Sequence, residues 1–341
     1  MLLKKISLAL LVPVVMVGVV ELLLAVTGFE KSAASPIMIR GQDNLEAKVS
    51  PTDRKVLLDP ELLWAFVPGI TWDGVPVNEH GFRTRSFDAV KPAGMRRVIA
   101  LGDSCTAQGN PPYSDRLHAL LQTNPPGGET WEAFNTGVFG YSAAQGLRQF
   151  QRDVRQFDPD LVTIYFGWND HWLHEKTDAA RMAKQMGRWQ AYLVKMARHL
   201  RVTSALVELG QRARGEPAPG KTFRVPEEVY RRTLMDLADE IQSVGAIPVL
   251  ITAPRRALTI TLVKTGHAKD PAHAEEAHDR YVEITREVAR ELSLPLIDLA
   301  SEFSDPDYDH YFSHDGIHFE DQGLDEIAVR IYQKIDEIVG N

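Results

Sequence analysis

The sequence contains little cysteine, no surplus of basic residues and no internal repeat. Its one cysteine among 341 residues, Cys105, excludes an intrachain disulfide and a zinc site built from cysteine thiolates. A net charge of -8 is the opposite of the basic stripe expected of nucleic-acid-binding proteins, so we expect no nucleic-acid partner. The composition, 44% hydrophobic and 25% charged, is typical of one large globular domain with additions.

One long apolar run stands near the start of the chain. Lys4 and Lys5 precede an apolar segment from Ile6 to Val20, which resumes after Glu21. About 20 apolar residues cross a bilayer, so the run is long enough only if the glutamate lies near the far interface. A cleaved signal peptide usually has a shorter apolar region, of ~7–15 residues. We therefore predict an uncleaved single-pass anchor at 1–29, with cleavage as the alternative. Positively charged residues that flank a membrane span favour the cytoplasmic side, so Lys4 and Lys5 place the rest of the chain outside the cytoplasm.

Residues 30–95 are predicted to form a linker and a small β extension. The polar, irregular stretch 31–59 is typical of a tether. An aromatic-rich run from Leu63 to Trp72 then meets Asp73-Gly74, a hairpin turn signal. We expect this hairpin to lie against the main domain, with its aromatic side chains packed and not lining a ligand site.

Strand and helix patterns alternate through the predicted main domain, 96–341, which is typical of a parallel sheet covered on both faces. Strands are predicted at 98–101, 131–135, 161–166, 247–252 and 294–298, and helices at 114–123, 143–157, from 226, at 272–292 and at 321–338. An apolar stripe from Met182 to Leu200 predicts helix, and 214–221 and 258–271 are predicted loops. The expected fold class is α/β, a flavodoxin-like three-layer α/β/α domain with a mostly parallel five-stranded sheet.

The first candidate for chemistry lies in the stretch R-V-I-A-L-G-D-S-C-T, Arg97 to Thr106. A buried strand is predicted to stop at Gly102-Asp103-Ser104, a sharp turn that carries a hydroxyl. Ligands bind at the carboxyl ends of strands in open parallel sheets, which makes Ser104 a candidate catalytic residue. Asp and Ser in such a turn also commonly cap the following helix, so the choice between the two interpretations depends on the rest of the chain.

Three further polar loops follow predicted strands. They are 135–142, 167–170 and 313–319. Acyl transfer through a serine requires a base, a group that orients the base, and donors aimed at the oxyanion. In one tight turn Asp315 can hold one nitrogen of His318 and leave the other for Ser104. Asn169 offers an amide donor, and Gly140 offers a backbone N–H that a substrate can approach without meeting a Cβ.

In these four loops the chain resembles the SGNH/GDSL family of serine esterases, over about 97–340. The matching blocks are Gly102-Asp103-Ser104, Gly140, Gly167-Trp168-Asn169-Asp170 and Asp315-Gly316-Ile317-His318. The resemblance implies Ser104 as nucleophile, His318 as general base and then acid, and Asp315 as its orienting group. It also implies that the oxyanion hole consists of Gly140, Asn169 and the backbone N–H of Ser104.

The segment Val77 to Arg83 resembles the lead-in of membrane-anchored bacterial members of that family. This implies a place in the bacterial cytoplasmic (inner) membrane, with the catalytic domain on the periplasmic side. An α/β-hydrolase is disfavoured because Thr106 breaks the Gly-x-Ser-x-Gly pattern. Cys105 is interpreted as a packing residue.

No metal and no cofactor is expected. His171 and His174, with His310 and His314 as companions, have a spacing that a metal could use, but solvated or site-rim histidines are the favoured interpretation. The leading hypothesis is therefore a metal-independent ester hydrolase that forms an acyl-enzyme and acts on an acyl or acetyl ester of a glycan or lipid. The alternatives are an O-acyltransferase modifying an envelope polysaccharide, and an idle SGNH-like domain that binds glycans or serves in assembly. Protein partners are unknown.

Overall fold

The computed structural model describes residues 16, 18–27, 55–183, 221–256 and 267–340. The chain divides into two compact units, one formed by Met1–Lys48 and Gln185–Pro219 and the other by Val49–Lys184 and Gly220–Asn341. In the first unit, residues 18–26 are helical. Within the described parts of the chain, no helix combines the length and the apolar character needed to cross a bilayer. Most of the predicted anchor and tether, the stripe beyond Met182, and most of the two loops predicted at 214–221 and 258–271 lie outside the described residues.

The second unit is built on a five-stranded sheet with a small β extension before it. The strands are β1 Val56–Asp59, β2 Leu63–Phe66, β3 Thr71–Trp72, β4 Val75–Pro76, β5 Met95–Gly102, β6 Thr130–Asn135, β7 Leu161–Tyr165, β8 Leu173–His174, β9 Thr222–Phe223, β10 Ile247–Ile251 and β11 Leu296–Ile297. The central sheet has the order β11-β10-β7-β5-β6 with every pair parallel. Numbered along the chain, this is the flavodoxin-like order 2-1-3-4-5, so the predicted sheet is confirmed.

The last strand of the sheet is shorter than the predicted 294–298. Only Leu296–Ile297 pair with β10. Pro295 accepts a hydrogen bond from the Leu250 N–H through its carbonyl, but it has no N–H of its own to donate. Asp298 leaves the sheet because its side chain caps the next helix, where it accepts from the Ser301 N–H.

Helices cover both faces of the sheet. They are α1 Ser104–Ala107, α2 Tyr113–Thr123, α3 Ala143–Gln149, α4 Asp178–Met182, α5 Glu227–Ser243, α6 Pro271–Glu291, α7 Leu299–Glu302 and α8 Asp321–Gly340. Helix α2 packs with α8, and α5 packs with α3 and α6. Val98 and Ala100 of β5 belong to the core that α2 and α8 cover, while Ile99 and Leu101 are equally buried. Because successive strand residues point to opposite faces, both faces of β5 are covered, as predicted.

The predicted helix at 143–157 changes character partway along. It is α-helical only to Gln149, then makes a π-helical turn over Phe150–Val154 and a 3-10 turn over Arg155–Phe157. Asp158, at a left-handed φ of 50°, ends it where the sequence predicts. The bounds are therefore right, and the interior is less regular than expected.

The β extension packs against the main domain. Strands β3 and β4 form the predicted hairpin, with Asp73 and Gly74 both at positive φ, as its tight turn requires. Trp64 and Trp72 are buried, which fits the predicted packing role. The buried Arg83 guanidinium donates to the carbonyls of Trp72, Ala107 and Gly109, and so joins the extension to the end of α1 and the segment that follows it.

Candidate active site

The turn that carries Ser104 lies at the carboxyl end of β5. A Cβ on Gly102 would lie 2.6 Å from the Tyr165 carbonyl oxygen, so only glycine fits between the strand and its neighbour. Asp103 caps α1, since its Oδ1 accepts from the Cys105 N–H at 2.9 Å. The side chain that caps α1 is thus that of Asp103 and not that of Ser104. The aspartate satisfies the helix, and the hydroxyl of Ser104, the first helical residue, stays available.

Ser104, His318 and Asp315 form a continuous hydrogen-bonded chain. Nε2 of His318 lies 2.8 Å from Oγ of Ser104, and Nδ1 lies 2.5 Å from Oδ2 of Asp315. The other carboxylate oxygen, Oδ1, accepts from the backbone N–H groups of Ile317 and His318 and from the Ser313 hydroxyl. Burial alone would raise the pKa of Asp315. The bond and charge of His318 and the two N–H groups outweigh burial and hold that pKa well below its ordinary value.

The Ser104 turn and the His318 loop are also joined behind the hydroxyl. Gln108, just past α1, accepts from the Phe319 N–H at 3.1 Å through its Oε1. The Cys105 thiol donates toward the Ile317 carbonyl at 3.6 Å. Cys105 is fully buried, and burial raises the pKa of its thiol well above the ordinary value. The packing role predicted for Cys105 is therefore confirmed.

Asn169 is oriented by the residue that precedes Ser104. Its Nδ2 donates to Oδ2 of Asp103 at 3.0 Å, and an amide nitrogen carries two N–H groups, so one remains for a substrate oxygen. Burial raises the pKa of Asp103 to about 6, against the hydrogen bonds from Cys105 and Asn169 and the charge of His318. The structure therefore brings Asn169 beside the Ser104 turn.

Gly140 lies in the loop after β6, which runs along the same turn. The Thr136 and Val138 N–H groups donate to the carbonyls of Ala100 and Gly102, at 2.9 and 3.1 Å. Gly140 itself has a φ of 79°, a conformation that favours glycine. The loops that contain the four predicted blocks thus lie at one edge of the sheet, as the sequence predicts for loops at the carboxyl ends of parallel strands.

Asp170 ties the Gly140 loop to the Asn169 loop, a contact that the sequence does not reveal. Its two oxygens accept from the N–H groups of Ala143 and Gly167, at 2.8 and 3.1 Å. Burial raises its pKa to about 8. Asp170 therefore links the start of α3, just after the Gly140 loop, to the turn that contains Asn169.

His171 is buried, so its expected place at the rim of the site or in solvent is wrong. Its Nε2 lies 3.1 Å from Nδ1 of His278, whose Nε2 lies 2.8 Å from the Ala253 carbonyl. A carbonyl only accepts, so His278 carries its hydrogen on Nε2 and receives one from His171. Burial lowers the pKa of both imidazoles, that of His278 to about 4. The pair is neutral and mutually satisfied, which is why two imidazoles can be buried here.

The His278 ring stacks on Trp168, the neighbour of Asn169, with ring centroids 3.7 Å apart.

The described residues contain no group of three or more His, Cys, Asp or Glu side chains arranged to hold a metal ion. A cavity of about 390 Å³ borders the His318 loop. Its lining consists of Arg255, Arg256, Phe303, Ser304, Asp309, Ser313, His314 and Gly316.

Comparison with known proteins gives one family match. The model of the GDSL-like lipase/acylhydrolase family matches residues 100–325, which include all four blocks. The uncharacterized lipoprotein YqeF of Bacillus subtilis (strain 168) is 23% identical over 244 residues, covering 68% of this chain and 78% of that protein.

Two solved structures with a similar chain path are a lipase/acylhydrolase and an acetylxylan esterase. The lipase/acylhydrolase from Enterococcus faecalis is 20% identical, with a TM-score of 0.48 over 71% of this chain and 96% of that chain. A catalytic mutant of the acetylxylan esterase Axe2 from Geobacillus stearothermophilus is 18% identical, with a TM-score of 0.46 over 70% of this chain and 94% of that chain.

Proposed function

The chain belongs to the GDSL-like lipase/acylhydrolase family, whose members hydrolyse ester bonds, and from this premise we propose a serine-dependent esterase that works through an acyl-enzyme at Ser104. His318 takes the hydroxyl proton as Oγ attacks the ester carbonyl. Asp315 holds the imidazole in the tautomer whose Nε2 accepts that proton, and it stabilises the imidazolium that forms.

Charge on the substrate oxygen would be stabilised by three donors. They are the backbone N–H groups of Ser104 and Gly140 and the side-chain amide of Asn169. When the tetrahedral intermediate collapses, His318 returns its proton to the leaving alcohol. Water, activated by the same imidazole, then attacks the acyl-enzyme and releases the carboxylic acid.

One observation carries the proposal, the unbroken series of hydrogen bonds from Asp315 through His318 to Ser104. An ordinary helix start needs no such partner for its first hydroxyl. Asp103 already caps the helix, so the contact with His318 serves no capping purpose. Activation of a nucleophile accounts for the arrangement.

The test is covalent labelling of the full-length chain with a fluorophosphonate. We expect the probe's mass on the peptide that contains Ser104, and none in a His318→Ala variant, because the hydroxyl then lacks its base. Hydrolysis of a short-chain ester should fall by about 10⁶-fold in Ser104→Ala, the loss seen when such a nucleophile is removed. A folded chain that neither labels nor hydrolyses esters contradicts the proposal.

We also propose that residues 1–29 anchor the chain in the bacterial cytoplasmic membrane, with the esterase domain outside the cytoplasm. Two lysines before a long apolar run support this orientation. A relative is named a lipoprotein, but here the one cysteine, Cys105, lies buried beside Ser104 and cannot carry a lipid. Resistance of the full-length chain to alkaline carbonate extraction, with cleavage by protease added outside the membrane, is the expected result. Release by carbonate contradicts an anchor.

A further inference from the structure

The β extension contacts the Gly140 loop directly, through strand β2. Trp64 is 1% exposed, and its indole N–H donates to the Phe139 carbonyl at 3.0 Å. The carbonyl of Trp64 accepts from the Tyr141 hydroxyl at 2.5 Å. The Trp64 and Tyr141 rings meet edge to face, with centroids 5.4 Å apart. Trp64 therefore contacts the residues on both sides of Gly140.

The Phe139 carbonyl and the Gly140 N–H belong to one peptide unit. That unit is planar and trans, so its C=O and N–H point in opposite directions. A donor that holds the carbonyl therefore also sets the direction of the N–H. Gly140 has no side chain to restrict its backbone, so the peptide depends on such a contact more than others do.

The next peptide unit is held by a different residue. Arg224 donates to the Gly140 carbonyl at 2.8 Å and to the buried carboxylate of Asp178 at 2.7 Å. The Arg224 guanidinium lies 5.8 Å from the centre of the Trp64 ring, within the range of a cation–π contact. Both peptide units that flank Gly140 are thus held by side chains from outside the loop.

We propose that Trp64 is a positioning residue for the oxyanion hole, because its indole N–H aims the Gly140 N–H at the substrate oxygen. The inference rests on the proposed esterase function. It gives the extension a part in catalysis, which is to position the Gly140 N–H. A tryptophan that only packs would affect stability and leave the chemical step unchanged.

The test compares Trp64→Phe with Trp131→Phe. Trp131 is a matched control because it is also buried and its indole N–H also donates to a backbone carbonyl, that of Pro126, at 3.0 Å. Trp131 lies near the start of β6, whereas the Gly140 loop follows the end of that strand. Each variant keeps an aromatic ring and loses one hydrogen bond. Removal of an oxyanion donor costs about 10²–10³ in kcat, so a donor left in place but less well aimed should cost roughly tenfold.

We expect kcat for a short-chain ester to fall about tenfold in Trp64→Phe, with KM within about twofold, because the bond acts on the transition state. The inhibition constant of a boronic acid that mimics the tetrahedral state should rise by a similar factor. Trp131→Phe should lose thermal stability and keep both constants. Equal kinetics in the two variants overturns the inference.

A second replacement covers the case in which Trp64→Phe does not fold. Benzothienylalanine placed at position 64 by nonsense suppression keeps the bicyclic ring and replaces the N–H with sulfur. The same fall in kcat supports the inference, and unchanged kcat overturns it. If the unmodified chain neither hydrolyses esters nor reacts with the fluorophosphonate, the proposed esterase function is wrong. If the unmodified chain does both and only the Trp64 variants behave like the control, the inference about Trp64 is wrong.

Discussion

On one side of the proposed site each reacting side chain is oriented by its near neighbours in the sequence, whereas on the other side the donors are oriented by residues far away. On the nucleophile side, defined by Ser104, His318 and Asp315, Asp103 caps α1 and Asp315 binds the N–H groups of Ile317 and His318. The reacting groups of the two local turns then meet in the contact between the Ser104 hydroxyl and the His318 imidazole.

The oxyanion side, defined by Gly140 and Asn169, is built from distant partners. Trp64 lies 75 residues from the carbonyl that it holds, and Arg224 lies 84 residues from Gly140. Asn169 depends on Asp103, 66 residues earlier. The difference teaches that the two functions of the site can be weakened separately, since the nucleophile side depends on loop sequence and the oxyanion side on the assembled fold.

Among substitutions that keep Ser104, the largest effect is expected on the nucleophile side, from Asp315→Asn. Asparagine would present an N–H to Nδ1 of His318, which forces the proton onto Nε2 and leaves no acceptor for the Ser104 hydroxyl. The equivalent change in a serine protease lowers kcat by about 10⁴, and we expect a loss of that order in ester hydrolysis here, with the fold retained.

The matched control is Asp307→Asn, at an exposed aspartate in the 3-10 turn Pro306–Tyr311, which precedes the His318 loop. It should leave the rate within about twofold, in line with other exposed substitutions. A similar rate for the two variants would contradict the role assigned to Asp315. Circular dichroism of both variants shows whether the fold is kept.

The next effect concerns the oxyanion side, through Arg224→Met. The change leaves Asp178, whose carboxylate is fully buried, with Arg181 as its one ionic partner among the described residues. Removal of one member of a buried ion pair costs 3–5 kcal/mol, and because one partner remains we expect a fall of about 3 kcal/mol in the free energy of unfolding, measured with urea.

Arg286→Met provides the comparison for that loss. Arg286 also binds an aspartate, Asp298, but both side chains are roughly 30% exposed, so at most about 1 kcal/mol should be lost. The Gly140 carbonyl is released only in Arg224→Met, so only there should kcat fall as well. Equal losses of stability in the two variants would mean that burial of Asp178 carries no special cost.

The smallest effect is the acid sensitivity of the packing behind Asn169. His278 has a folded pKa of about 4, against about 6.5 in an unfolded chain, so between these values the unfolded chain binds a proton that the folded chain does not. Stability therefore falls as pH falls through that window. This histidine alone should account for a loss of about 2 kcal/mol between pH 7 and pH 5.

His278→Gln removes the titrating group and keeps a side chain that can both donate to the Ala253 carbonyl and accept from His171. Urea denaturation at the two pH values should show a smaller fall than in the unmodified chain. Burial likewise lowers the pKa of His118 to about 4, so His118→Gln should reduce the fall in stability by a similar amount at a place away from Trp168. If His278→Gln keeps the full pH dependence, the neutral pair does not control it.

Most strands and helices of the domain can be predicted from the sequence because the patterns that indicate them are local. Apolar runs bounded by glycine or aspartate mark the strands, and the alternation with helices marks a parallel sheet. The last strand is short for reasons that are also local, since Pro295 has no N–H and Asp298 caps α7. The π-helical turn after Gln149 carries no such local signal. The burial of His171 is likewise absent from the local pattern, since its partner His278 lies 107 residues further along the chain.

The sequence by itself determined the four blocks and their order. It also determined that Asp315 can contact His318, because a tight turn of a few residues permits few geometries. Only the tertiary structure decided that Trp64 and Arg224 hold the peptide units around Gly140. A hydrogen bond to a backbone carbonyl leaves no signature in the residue that accepts it, since every residue has the same carbonyl. The partner becomes visible only when the extension and the loop after β6 are packed together.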